Sequence, residues 1–208
     1  MEHAGTHIDA LCHQAFDMKL HDNILVTNEI ETPFGFNKLS VEKIPPIITR
    51  GVLFDVAGFK GLDHLPENYE ITKQDLENCA EIEKINVKRG DVVLVRTGYG
   101  KFWHNEDKYM KAAGVSLEAS KWLADKSVFA VGIDNTAWDL LYARDRESGT
   151  TLPSHALLIV KKGIHIMEHL NIEKLAADKQ YIFIFICLPL KLRGATGSPI
   201  RPIAIAIK

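Results

Sequence analysis

Short, uniformly apolar runs alternate along this chain with longer stretches in which apolar positions recur every three or four residues. The first pattern predicts buried strands and the second amphipathic helices. Gly51 to Val56 (GVLFDV) follows the Pro45-Pro46 break and reads as a strand. The turn Lys88-Arg89-Gly90-Asp91 opens a second, Val92 to Val95. Val128 to Ile133 is a third, ending at Asp134; Ile164 to Met167 is short and apolar; Tyr181 to Leu190 and Ile203 to Ile207 complete the set. Helical spacing runs from Asp75 to Lys84, with Leu76, Cys79, Ala80 and Ile82 apolar, and from Ser116 to Asp125. There Ser116 can cap the amide of Ala119, and Glu118 suits the positive end of the helix dipole. Ser154 to Lys162, closed by Gly163, and the brief Ile172 to Ala177 are further helices. The pattern predicts a mixed α/β fold, residues 1–208 forming one domain with a mixed sheet, strands in several directions and flanking helices.

Composition narrows the partners. Hydrophobic residues make up 46% and charged residues 25% of the 208, as in an ordinary globular chain with a sizeable core. A formal net charge of −2 gives no electrostatic reason to expect nucleic acid or an anionic membrane as partner. The longest apolar run, Tyr181 to Leu190, is too short to span a bilayer. The N-terminus lacks the apolar region of a signal peptide, and Cys12, Cys79 and Cys187 are too scattered for a disulfide framework. The expected location is therefore cytoplasmic.

Candidate chemistry is concentrated at the start. The segment EHAGTHIDALCHQAF places His3, His7, Asp9 and His13 within eleven residues. Imidazole and carboxylate together suit a borderline divalent ion such as Zn²⁺ or Mn²⁺. Gly5 and the β-prone Thr6 and Ile8 argue against a helix. On an extended strand His7 and Asp9 share a face, His13 joins them if the strand continues, and His3 does so if the chain bends at Gly5. A single histidine is more often a hydrogen-bonded surface residue than a ligand; four donors at this density favour a metal site. Cys12, inside the motif, reads as packing.

These residues carry a resemblance. His-x-x-x-His-x-Asp-Ala-x-x-His, with Gly5-Thr6 before the second histidine, resembles the signature of the cyclase family of metal-dependent hydrolases, which includes bacterial kynurenine formamidase (arylformamidase) and isatin hydrolase. The resemblance continues at Gly132-Ile133-Asp134, Leu152-Pro153-Ser154-His155, Gly163-Ile164 through Glu168-His169-Leu170, Leu188-Pro189-Leu190 and Gly197-Ser198-Pro199-Ile200-Arg201-Pro202. It implies the swivelling β/β/α fold and a homodimer or homotetramer. It also implies that His3, His7 and Asp9 hold a first metal, with Asp9 able to bridge to a second completed by His155 and Glu168. His13 matches the proton donor and acceptor. The cofactor is then Mn²⁺ or Zn²⁺, one or two per chain. Glu168 lies in the apolar stretch IHIMEHL, where an unpaired carboxylate is costly, so a cationic partner is expected there too. His165 and His169, which flank it, read as surface residues. Asp134 reads either as a ligand at a strand end or as the start of a turn with Asn135. The stretch Arg193 to Ser198 reads as a loop whose backbone approaches the pocket.

Family members carry a few dozen residues before the first motif, including an opening strand and part of the substrate pocket. Here the first candidate ligand is residue 3, so that N-terminal strand region is expected to be missing and substrate preference does not carry over. The expected function is metal-dependent hydrolysis of a non-peptide C–N bond, in a small formamide, cyclic amide or lactam, by activated water. Two competing readings are a lactone or ester hydrolase of the same family and a metal-binding protein without catalysis.

Overall fold

The computed structural model describes residues 2–142, 144–145 and 149–206. Eight strands form the main sheet: β1 (His7–Asp9), β2 (Ile47–Phe54), β3 (Val92–Val95), β4 (Ala130–Ile133), β5 (His165–Glu168), β6 (Ile182–Cys187), β7 (Gly197–Pro199) and β8 (Ile203–Ala206). Their spatial order is β7-β1-β5-β4-β3-β2-β6-β8. The inner four, β2 to β5, run parallel; β1 is antiparallel to β5 and β7, and β6 is antiparallel to β2 and β8. Strands covered on both faces can be apolar throughout, and β3 and β4 are buried at every position.

Each face of the sheet has its own apolar cluster. On one face Phe54, Val93, Val95, Val131, Ile133 and Ile166 pack with Leu76 and Leu123 from helices α1 (Lys73–Ile82) and α2 (Leu117–Asp125). On the other, Leu53, Leu94, Met167, Phe183 and Phe185 meet Leu20, Val41 and Ile44 from the segment between β1 and β2. A capping box between Thr72 and Asp75 starts α1, and Ser116 accepts from the Ala119 amide to start α2, as its sequence predicts.

Three elements differ from their sequence patterns. The run from Tyr181 is a strand only to Cys187, because Pro189 has no amide to donate to a ladder. The run after Pro153 begins as one α-turn, α3 (Pro153–His155), and continues as a π-helix over Ala156–Lys161. Five consecutive residues of that stretch, Ala156 to Val160, are apolar and buried, so periodicity carries no information on its winding. The first strand stops at Asp9, and His13 instead lies beyond a turn closed by its amide on the Ala10 carbonyl.

Candidate metal centre

β1 lies between β5 and β7, so its three residues are buried on both sides. Its antiparallel register sets His7 opposite Glu168 at the end of β5. His7 and Asp9 alternate onto that same face. The bend at Gly5 brings back His3, and the turn after Ala10 brings in His13. His155 arrives from α3, whose entry requires a left-handed Leu152, φ 52°.

The result is one fully buried carboxylate, Asp9, ringed by four imidazoles and a second carboxylate. Asp9 Oδ1 lies 3.0 Å from His3 Nδ1, 3.3 Å from His7 Nε2 and 4.0 Å from His13 Nε2; Oδ2 lies 3.9 Å from His155 Nε2. Glu168 reaches the cluster with Oε2 3.5 Å from His7 Nε2 and Oε1 3.3 Å from His155 Nε2. Two triads have ligand atoms within 4.8 Å of one another, His3–Asp9–His13 and His7–Asp9–Glu168, and they share Asp9.

Three of the imidazoles are held by an outer partner, and for two of them, His7 and His155, that partner is an acceptor that sets the tautomer. His7 Nδ1 donates to the Gly5 carbonyl at 2.8 Å, His155 Nδ1 donates to Asp139 at 2.7 Å, and His3 Nε2 lies 2.9 Å from the Thr196 hydroxyl. In each, the other nitrogen faces the carboxylates of the cluster, Asp9 for His3 and His7 and Glu168 with Asp9 for His155, the arrangement in which an outer partner orients a metal-binding histidine. Asp139 also accepts from the amides of Ser154 and His155, fixing the start of α3 to the carboxylate that holds the imidazole. Glu168 Oε1 accepts from the Trp138 amide. Gly197 has no side chain, and a Cβ there would overlap the His3 ring; the backbone approach expected of Arg193 to Ser198 is made where that stretch has become strand β7, not a loop.

Electrostatics follow from burial. Desolvation works to raise the Asp9 pKa, but contact with His3 and His7 outweighs it and holds the carboxyl well below its ordinary range. Burial likewise opposes charge on His155, and Asp139 and Glu168 override it, raising that imidazole well above its ordinary value. His13, with burial dominant, is lowered. Both Asp9 oxygens and His3 Nδ1 are buried without a hydrogen-bond partner among the described residues. Taking a carboxylate out of water without a well-formed hydrogen bond to either oxygen is costly, and the imidazoles around Asp9 offset that cost in part. A divalent cation bound by its oxygens and the facing nitrogens removes that cost, so the residues present fit such an ion.

All six candidates from the sequence, His3, His7, Asp9, His13, His155 and Glu168, therefore converge. The distances group His13 with His3 and Asp9, where the resemblance sets it apart as an acid/base group. Asp134 turns elsewhere: it accepts from the Thr97 amide and hydroxyl and the Gly98 amide, and burial pushes its pKa up to about 6. Cys12 is buried, its thiol pushed up to about 12 by desolvation, as expected of a packing residue. His165 and His169 are not surface residues. His165 is buried with Nδ1 donating to the Asp9 carbonyl, and half-buried His169 lies beside His7. Asp139 and Thr196 have no signal in the sequence, since their partners are 16 and 193 positions away.

Fold and cluster together define an α/β protein with a candidate metal centre at one side of a mixed sheet. The family described as "Putative cyclase" matches residues 1–140, and the chain belongs to that family. A solved structure titled as a novel cyclase is 30% identical with a TM-score of 0.84, covering 96% of this chain and 68% of that one. Cyclase-like protein 3 of Oryza sativa subsp. japonica is 28% identical over 98% of this chain and 62% of its own length. The isatin hydrolase of Roseibium aggregatum is 26% identical over 100% of this chain and 73% of its own length. The chain thus spans about three fifths of the rice relative. The architecture is the mixed α/β fold that the sequence pattern predicts, and its structural neighbours are cyclase folds.

Proposed function

We propose that this chain is a metal-dependent hydrolase of a non-peptide C–N bond in a small formamide or cyclic amide, using Mn²⁺ or Zn²⁺, one or two per chain. The observation that carries the reading is Asp9: a fully buried carboxylate with no hydrogen bond to either oxygen, faced by imidazole nitrogens that outer partners hold in place. Likeness to an isatin hydrolase along the whole chain supports the choice of bond.

In this reading His3, His7 and Asp9 hold a first cation, and Asp9, His155 and Glu168 hold a second. A divalent cation in such a site supplies Lewis acidity and lowers the pKa of water toward neutrality. Asp139 keeps His155 aimed inward, and the Gly5 carbonyl does so for His7. The His13 side chain is 30% exposed, with Nε2 toward Asp9, which suits a group that takes a proton on the cluster side and returns it to the departing nitrogen. β5 and β7 shield β1 from water on both flanks.

The test is a titration with Mn²⁺ and Zn²⁺ beside hydrolysis assays on N-formylkynurenine and isatin. Wild type takes up cation and turns over at least one of these amides, His7→Ala loses the cation, and His13→Ala keeps the cation but loses most of kcat. Loss of cation in His13→Ala would make His13 a ligand instead. Cation uptake with no turnover of any amide would leave a metal-binding protein.

A further inference from the structure

His169 follows Glu168 directly and has a left-handed backbone, φ 56°. Side chains other than glycine adopt this conformation less readily, and eleven other described residues share it, so the backbone alone does not mark a site. The residue is tied down on every side. Its amide donates to the Asn135 carbonyl and its carbonyl accepts from the Thr6 hydroxyl at 2.6 Å. Its ring stacks on Tyr109, with centroids 5.7 Å apart and planes at 17°, and is hydrogen-bonded through Nδ1 to the Tyr109 hydroxyl at 2.7 Å. Trp103 meets the ring edge-on at 5.2 Å.

The position of that ring matters more than its strain. One neighbour is His7 of the cluster, 5.6 Å away between ring centroids. The ring also borders a recess of about 510 Å³ whose lining includes Thr6, Trp103, Tyr109 and Asn171 together with Lys101, His104 and Glu173. The imidazole is thus a partition between the Asp9 cluster and a volume large enough for an aromatic substituent. Tyr109 is buried, and Trp103 is half-exposed at the recess mouth.

We propose that His169 is a specificity-determining residue: its clamped ring is the wall that limits the size of the group accepted beside the Asp9 cluster. The inference rests on the reading of that cluster as a cation site, and it concerns what this site admits. Without the ring, the recess would reach the face of His7, giving ligands anchored at the cation room to extend toward Trp103.

Hydroxamates test this, because they chelate a divalent cation through two oxygens, resemble an amide and are not turned over. Dissociation constants for benzohydroxamate and 4-phenylbenzohydroxamate are measured by calorimetry on the Mn²⁺-loaded protein, for wild type, His169→Gly and His169→Asn. Glycine and asparagine both tolerate the left-handed backbone, so at least one variant is expected to fold. Wild type is expected to bind the longer ligand at least about tenfold more weakly, and the variants to bring the two within about threefold. Mn²⁺ affinity is expected to be unchanged in both. An unchanged ligand ratio with normal Mn²⁺ binding overturns the wall alone. Loss of Mn²⁺ in His169→Asn also overturns it, by making His169 part of the cation site. A wild type that binds no Mn²⁺ overturns the reading of the cluster and the wall with it.

Discussion

Asp139 shows how much one side chain outside the ligand set can govern. It accepts three hydrogen bonds from two consecutive residues, with one aim: to present His155 Nε2 to Glu168 and Asp9. Partners of this kind are typically worth 10–100-fold in metal affinity. Asp139→Asn is therefore expected to weaken binding of one cation by about that factor while the fold is retained, as read by calorimetry and circular dichroism. Unchanged affinity would show that His155 needs no orienting partner. Glu83 makes a separate case, away from the cluster. It is the C-cap of α1, where a negative charge opposes the helix dipole. Desolvation, with Asp55 nearby, pushes its pKa up from 4.5 to about 7. The folded state thus holds this proton more tightly than the unfolded chain does. Stability is lost as pH rises from about 4.5 to about 7 and stays lost above that. Glu83→Gln keeps an acceptor for the Cys79 thiol and cannot ionise. Its melting temperature should exceed that of wild type at pH 8 and match it at pH 4.5; an equal difference at both would rule the charge out.

At the scale of elements, what the sequence made legible was local. Ser116 capping Ala119 and the apolar strand Val92–Val95 are decided within a few residues, and they appear as predicted. So does the pairing of His7 and Asp9 on one strand face. What escaped was set by contacts distant in sequence. His165 and His169 look like solvated residues in isolation, and only the docking of β1 against β5 and of Tyr109 against His169 buries them. The π-helical winding after His155 and the turn that delivers His13 likewise have no period to betray them. Register has one legible device in Gly51, which pairs with Phe183 across β2 and β6. The Phe183 ring lies where a Cβ on residue 51 would be, so the strands fit in this register. Gly51→Ala is expected to cost about 1–3 kcal/mol by overpacking, seen as a lower urea midpoint with an unchanged m-value. A neutral result would mean that the ring has room to move aside.

For the molecule as a whole, the cluster closes contacts that the chain makes only at great sequence distance. His3 to His13, His155 and Glu168 come from three segments, and β1 has just three residues with which to keep its place in the sheet. Between those segments lie two acidic groups, Asp9 and Glu168, whose proximity is unfavourable without positive charge between them. The imidazoles supply part of that charge, and a cation would supply more while tying β1, β5 and α3 to one point. Binding that favours the folded state adds stability by mass action, about 2.7 kcal/mol at a ligand concentration 100 times Kd. For a chain of this size that corresponds to a rise in melting temperature of roughly 5–10 °C. The rise should grow with Mn²⁺ or Zn²⁺ concentration and reverse on chelation. Asp9→Asn should abolish it, because the amide loses the charge that both triads share. A cation-dependent rise that survives in Asp9→Asn would place the ion elsewhere in the molecule.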